Sequence, residues 1–270
     1  MVNKRFLDFA QRSMNQEVPT EKAKPKPQKV VPMARNVDFD YFFLDGDLGK
    51  EAHEAIIKKY GADHQFVTKN VFYDNDSKLI KGSKPGYILA VNEFLRGNGL
   101  RTATSYDVQR AIDEGNLNTK GFYEDLGLVL YSESGENEYF ARDLTNQARQ
   151  RKSIDFPVMF NLSDLELKVD QNAPQGLAFK LRDDSQIIMT PELLLANDRK
   201  KFSKVNQFGV QIFEDNGKYT FYSGNSVLRM LIRNRDSVLG ARYWNLSGSD
   251  GGGRVIICRE ATNKNSGGRK

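Results

Sequence analysis

Cysteine is almost missing from this chain: Cys258 stands alone in 270 residues. A single thiol excludes an intramolecular disulfide and any zinc site assembled from several cysteines. Histidine is nearly as scarce. His53 and His64 are the only two, and neither has neighbours at metal-ligand spacing, so no metal site is expected. Apolar runs are short, and none approaches the ~20 residues needed to cross a bilayer, so no membrane association is expected. The many serines include no Gly-x-Ser-x-Gly elbow to single out a nucleophile. The opening Met-Val-Asn-Lys-Arg leads into no continuous apolar stretch, so a secretory leader is not expected and a reducing cytoplasm is the expected setting.

What is present is ordinary globular composition, with 39% hydrophobic and 28% charged residues. The length suits one large domain or two of common size. The net charge of +5 is unevenly placed. Residues 1–35 hold eight basic and three acidic side chains, residues 259–270 hold four and one, and residues 36–258 are left at −3. A basic balance points towards a polyanionic partner, and here it points there through the two ends.

Near the start, Phe6, Leu7, Ala10 and Met14 fall on one helical face, and Pro19, Pro25, Pro27 and Pro32 then punctuate a Lys-rich stretch. Proline fixes φ and removes donors, so this arm (residues 1–35) reads as a short amphipathic helix on a flexible, extended tether. Phe6, Leu7 and Met14 are the candidate partner-binding residues, since such a face suits the groove of a protein partner.

The folded part begins near Val37. Residues 41–44 read as a strand, 50–60 as a helix capped by Gly61, and 66–73 as a strand returning through the turn 74–77. A helix from Pro85 stops at Gly97-Asn98-Gly99, and another spans 105–114. Two stretches then look alike at a shift of 82 positions. Residues 126–131 with Gly135 and 138–141 match 208–213 with Gly217 and 219–223, each read as strand, turn, strand between helices. The expected fold is α+β, with short antiparallel hairpins and interspersed helices, and with a duplicated helix–hairpin–helix unit among its features. Pro174 marks the best interior break, which divides the chain into an arm (1–35), an N-terminal domain (36–172), a C-terminal domain (173–260) and a basic tail (261–270).

Three places carry chemistry. Residues 226–239 fit a helix with Val227, Leu228, Leu231 and Val238 inward. Arg229 and Arg233 then stack one turn apart beside Arg235, and Arg242 and Trp244 follow, so these five are the candidate nucleic-acid contacts. Residues 249–254, Ser-Asp-Gly-Gly-Gly-Arg, bare backbone amides but lead into a strand, so they read as a flexible loop.

The third is Tyr41-Phe42-Phe43-Leu44-Asp45-Gly46-Asp47, an apolar strand ending in two carboxylates. It resembles the nucleophile motif of haloacid dehalogenase-like phosphohydrolases, and the stretch 99–105 resembles their second motif. The resemblance implies Asp45 as nucleophile, Asp47 as proton carrier, Thr104 or Ser105 as phosphate ligand, and Mg²⁺ as the metal, with Asp183-Asp184 as the nearest acidic loop. Gly49 replaces the threonine or valine of that family, and Asp-Gly-Asp is equally good turn chemistry. The expected function is a non-catalytic binding or scaffold protein. It would engage a macromolecular partner through the N-terminal arm, within a nucleic-acid-associated assembly, without cofactor. The Mg-dependent phosphohydrolase is the alternative.

Overall fold

The computed structural model describes residues 41–259 except 119, 195–198, 225–226, 234–237 and 244, with the backbone alone at 194, 242 and 243. Four helices form where the sequence supplies their ends. Helix α1 (Gly46–Tyr60) has Asp45 at its N-cap, Asp47 in its first turn and Lys58 and Lys59 in its last, which is the order the helix dipole favours. Gly61, at φ 87°, ends it. Helix α2 (Pro85–Leu95) starts on proline, whose missing N–H costs nothing there, and is buried along almost its whole length. Helix α3 (Ser105–Asp113) opens with a reciprocal capping box between Thr104 and Asp107. Helix α4 (Glu138–Arg149) buries Phe140, Ala141, Leu144 and Ala148 as one stripe.

The strands are β1 (Tyr41–Phe43), β2 (Phe72–Asp74), β3 (Leu79–Lys81), β4 (Leu100–Thr102), β5 (Glu124–Leu130), β6 (Val158–Asn161), β7 (Leu165–Val169), β8 (Leu177–Leu181), β9 (Ile188–Met189), β10 (Arg199–Val205), β11 (Gln211–Phe213), β12 (Tyr219–Ser223), β13 (Leu228–Arg233), β14 (Leu239–Tyr243) and β15 (Ile256–Arg259). Eight of them form the main sheet, a half-barrel in the order β11-β10-β12-β14-β13-β5-β6-β9. A second sheet inserts β15 between β1 and β4, and the hairpins β2–β3 and β7–β8 complete the set. The fold is mixed α+β, and all strand pairings but β12–β14 are antiparallel.

Alternation along the central strands gives the sheet an apolar layer on each face. Leu128, Leu130, Leu228, Met230 and Ile232 join the cluster built on α1, α2, α4 and β8, where Phe66, Phe140 and Phe179 meet. Leu126, Val129 and Leu231 join a second cluster with α3, β10, β12 and β15. Cys258 is buried in that second layer, as a small hydrophobe should be.

Several expected elements change type. Within the stretch 226–239, read as a helix, residues 228–233 are strand β13, which pairs antiparallel with β14 and with β5. Both faces of β13 are covered, so its apolar residues run nearly continuously and mimic helical spacing. The first of the look-alike hairpins is β5 followed by helix α4, while in the second β11 and β12 flank β10 and do not pair with each other. The shared register of the two stretches therefore does not extend to their elements. Residues 66–70 are turns, and only 72–74 form a strand. The stretch 171–176, read as a domain break, is the turn between β7 and β8, and strands from both sides of it share the main sheet. The arm 1–35, read as a helix on a tether, and the tail 261–270 lie outside the described residues.

Candidate interaction surface and the buried charge network

Asp45 and Asp47 are both exposed at the start of α1, and desolvation on partial burial lifts the Asp45 carboxyl above its usual range. The surrounding fold differs from what the phosphohydrolase resemblance implies. Strands β1 and β4 each run antiparallel to the intervening β15 in a three-stranded sheet, where the resemblance calls for a parallel central one. Thr104 is engaged in its helix cap, with its hydroxyl donating to Asp107 Oδ2 at 2.8 Å, and Ser105 Oγ donates to Gly209 O at 2.6 Å. Asp184 pairs with the adjacent Arg182 at 3.1 Å. Among the described residues, no group of three or more His, Cys, Asp or Glu could hold a metal.

The arginines move most. In a strand, Arg229 and Arg233 no longer share a solvated helical face. Arg229 turns to Glu136 at 3.1 Å with its side chain 11% exposed. Arg233 is 1% exposed; its Nη1 donates to Gln109 Oε1 at 2.8 Å, and its guanidinium lies 5.0 Å from the centre of the Tyr219 ring. A guanidinium enclosed in this way cannot reach a phosphate. Arg242 has its backbone in β14. Arg235, Trp244, Phe6, Leu7 and Met14 fall outside the described residues.

Arg233 belongs to a chain of charges through the interior. Glu124 and Asp125 are adjacent on β5, so the strand aims them at opposite faces. Glu124 shares its face with Arg233, directly opposite on β13, and with Arg254. Neither of its carboxylate oxygens meets a hydrogen-bond donor among the described residues, and burial pushes its pKa up to about 8. Asp125 faces Ser83 and Lys84, and burial lifts it to about 7. Lys84 is wholly enclosed. It donates to the carbonyls of Lys69 at 2.6 Å and Gln65 at 2.8 Å, and desolvation lowers its pKa to about 8.

The glycine-rich segment 249–254 closes over this seam. Tyr123 Oη accepts from Asp250 N at 3.0 Å, Arg254 Nη1 donates to Gly251 O at 2.8 Å, and the Arg254 guanidinium rests 4.4 Å from the centre of the Phe122 ring. A Cβ at Gly253 would come within 2.3 Å of Ser83 N, so glycine is required for the closure. Its amides are used internally, and the segment is a latch.

The surface with the clearest binding character lies at the far end of the main sheet. From Arg199 to Phe213 the chain carries Arg199, Lys200, Lys201 and Lys204 with no acid until Glu214. Arg199, Lys201 and Lys204 are exposed, as is Lys218 in the connection to β12. Phe202, Tyr219 and Phe221 turn inward to the second apolar layer and hold the strands down, while Ile212 is 50% and Phe208 40% exposed. Cations sit over rings here: Arg199 lies 5.0 Å from the centre of Tyr222, Lys200 5.3 Å from Phe213 and Lys218 4.9 Å from Tyr219. The segment 214–218 crosses β10 to join the parallel strands β11 and β12, with Lys218 N donating to Ser203 Oγ at 3.2 Å. It brings Glu214 and Asp215 to the rim, and residues 199–223 keep five cations against these two acids.

Comparison with protein-family models, curated proteins and solved structures finds no match. This basic, partly apolar surface was missed in the sequence because its cations sit in a strand that also carries core residues. The readable signal was the run of four cations without an acid between 199 and 213.

Proposed function

We propose that this chain is a non-catalytic binding protein that engages an acidic macromolecule, with the β10–β12 end of its main sheet as the contact. The supporting observation is the exposed basic run at 199–204, mounted on strands whose inner face is locked into the apolar layer. A rigid sheet holds charges in fixed positions and lowers the ordering cost of binding. The exposed Phe208 and Ile212 beside the cations give the apolar contact that a purely solubilising charge patch lacks. The arm carrying Phe6, Leu7 and Met14 is a second contact in this reading, directed at a protein partner.

Charge reversal tests the reading. Lys201→Glu combined with Lys204→Glu in the full chain should weaken binding to immobilised heparin about tenfold or more at low salt, since each lost phosphate-like contact removes released counterions. Asp45→Asn should leave it unchanged. Equal retention of the wild type and the double variant would overturn the assignment of this surface.

A further inference from the structure

The acidic macromolecule can be narrowed from the way the cations are mounted. In folded proteins, a significant cation–aromatic pair occurs roughly once per 70–80 residues. Here Arg199 over Tyr222, Lys200 over Phe213 and Lys218 over Tyr219 fall within residues 199–222. An acidic protein surface or a sulfated sugar needs only charge. A nucleic acid with unpaired bases offers charge and flat faces together, and the guanidinium of Arg199 layered on the half-buried Tyr222 ring matches both.

The spacing fits as well. Arg199 and Lys201 are two residues apart on one strand, so both point to one face roughly 6.6 Å apart at ~3.3 Å per residue. That face also carries Tyr222 and Thr220, their partners across the β10–β12 ladder. Lys201 Nζ already donates to Thr220 Oγ1 at 3.0 Å, which holds the ammonium extended along the sheet. A bulge between Phe202 and Lys204 then resets the alternation, so Lys204 lies opposite Ile212 on the same outer side. Phe208, in the β10–β11 hairpin loop, adds an exposed ring beyond Lys204.

Resting on the function proposed above, we infer that the partner is a single-stranded nucleic acid. Its phosphates meet Arg199, Lys201 and Lys204, and its bases stack on the Arg199–Tyr222 pair and on Phe208. The basic ends of the chain add sequence-independent attraction, and variants made in the full chain separate the two contributions.

The experiment is fluorescence anisotropy of the full-length protein with a labelled thymidine oligomer of about twelve nucleotides, a matched duplex, heparin and poly-glutamate as competitors. The inference predicts that the single strand binds at least about tenfold more tightly than the duplex. Phe208→Ala should weaken single-strand binding about tenfold and leave heparin unaffected. Lys201→Ala should lower the slope of log K against log salt by about 0.7. Tyr222→Leu, checked for folding by circular dichroism, should act as Phe208→Ala does. If duplex and heparin bind as tightly as the single strand, or if the ring variants change nothing, the inference falls while the acidic-partner reading stands. If no polyanion binds at low salt, or binding ignores the charge variants, both fall.

Discussion

Glu124, Asp125 and Lys84 set how the folded state responds to pH, because each is enclosed where its charged form is disfavoured. The two carboxyls are raised, Glu124 to about 8 and Asp125 to about 7, so the folded chain keeps protons that the unfolded chain has released. Their contribution to stability is complete below their unfolded values, near 4, and is lost as pH climbs to about 8. Lys84 acts in the opposite sense. Lowered to about 8, it gives up its proton early in the folded state, and stability recovers between there and its unfolded value near 10.5. The stability curve should therefore fall as pH rises from 5 towards a minimum near pH 8 and recover above it, measurable as the urea midpoint across pH 5–10. Glu124→Gln should flatten that fall, because an amide does not titrate and the site is already built for a neutral group. Nothing in the sequence announces this. Two adjacent acids carry no local sign of burial; it follows from their pairing with β13 and from the 249–254 segment.

At the scale of elements, the tightest constraint is the crossing of β10. A Cβ at Gly217 would lie 2.3 Å from Phe202 N and 2.6 Å from Phe202 C, so the connection between β11 and β12 passes directly against the strand beneath it. Gly217→Ala should cost about 2 kcal/mol or more, read from the chemical denaturation midpoint, and should weaken polyanion binding because Lys218 and the β12 ladder shift with it. The conservative control, Gly251→Ala, meets open space and should be near neutral. Three of the four described helices were legible because their stop signals are local: Gly61, Gly97 and Gly115 end α1, α2 and α3 where the sequence says, whereas residues 138–141, read as a strand, open α4. The strands of the main sheet were less so. β13 is apolar on both sides, which erases the alternation that identifies a strand, and the pairing of β11 and β12 with β10 is a matter of topology that no local pattern encodes.

Over the whole molecule, charge and core are separated. The body is acidic on balance, yet its sheet ends in a basic rim, so the proposed contact surface opposes the charge of the domain that carries it. That arrangement orients an incoming anion towards one end and away from the rest. Deleting residues 1–35 should leave the denaturation midpoint unchanged and abolish capture of a protein partner in a pull-down from the host. Unchanged capture would remove the arm from the mechanism. No helix among the described residues is long and apolar enough to cross a membrane. The α+β class was readable from composition and turn signals. The single main sheet was not, because its central pairing joins β5 to β13, about a hundred residues further along the chain.

The insertion of β15 between β1 and β4 has a consequence for how the chain comes to be folded at all. Until residues 256–259 have been synthesised, two strands near the beginning of the described chain wait without a neighbour on either side, and Tyr41, Leu44 and Ala103 have no lid. The three-stranded sheet therefore cannot be completed until residues 256–259 are in place. The last strand is the keystone, and a nascent chain that stops short of Ile256 is left open at both layers at once.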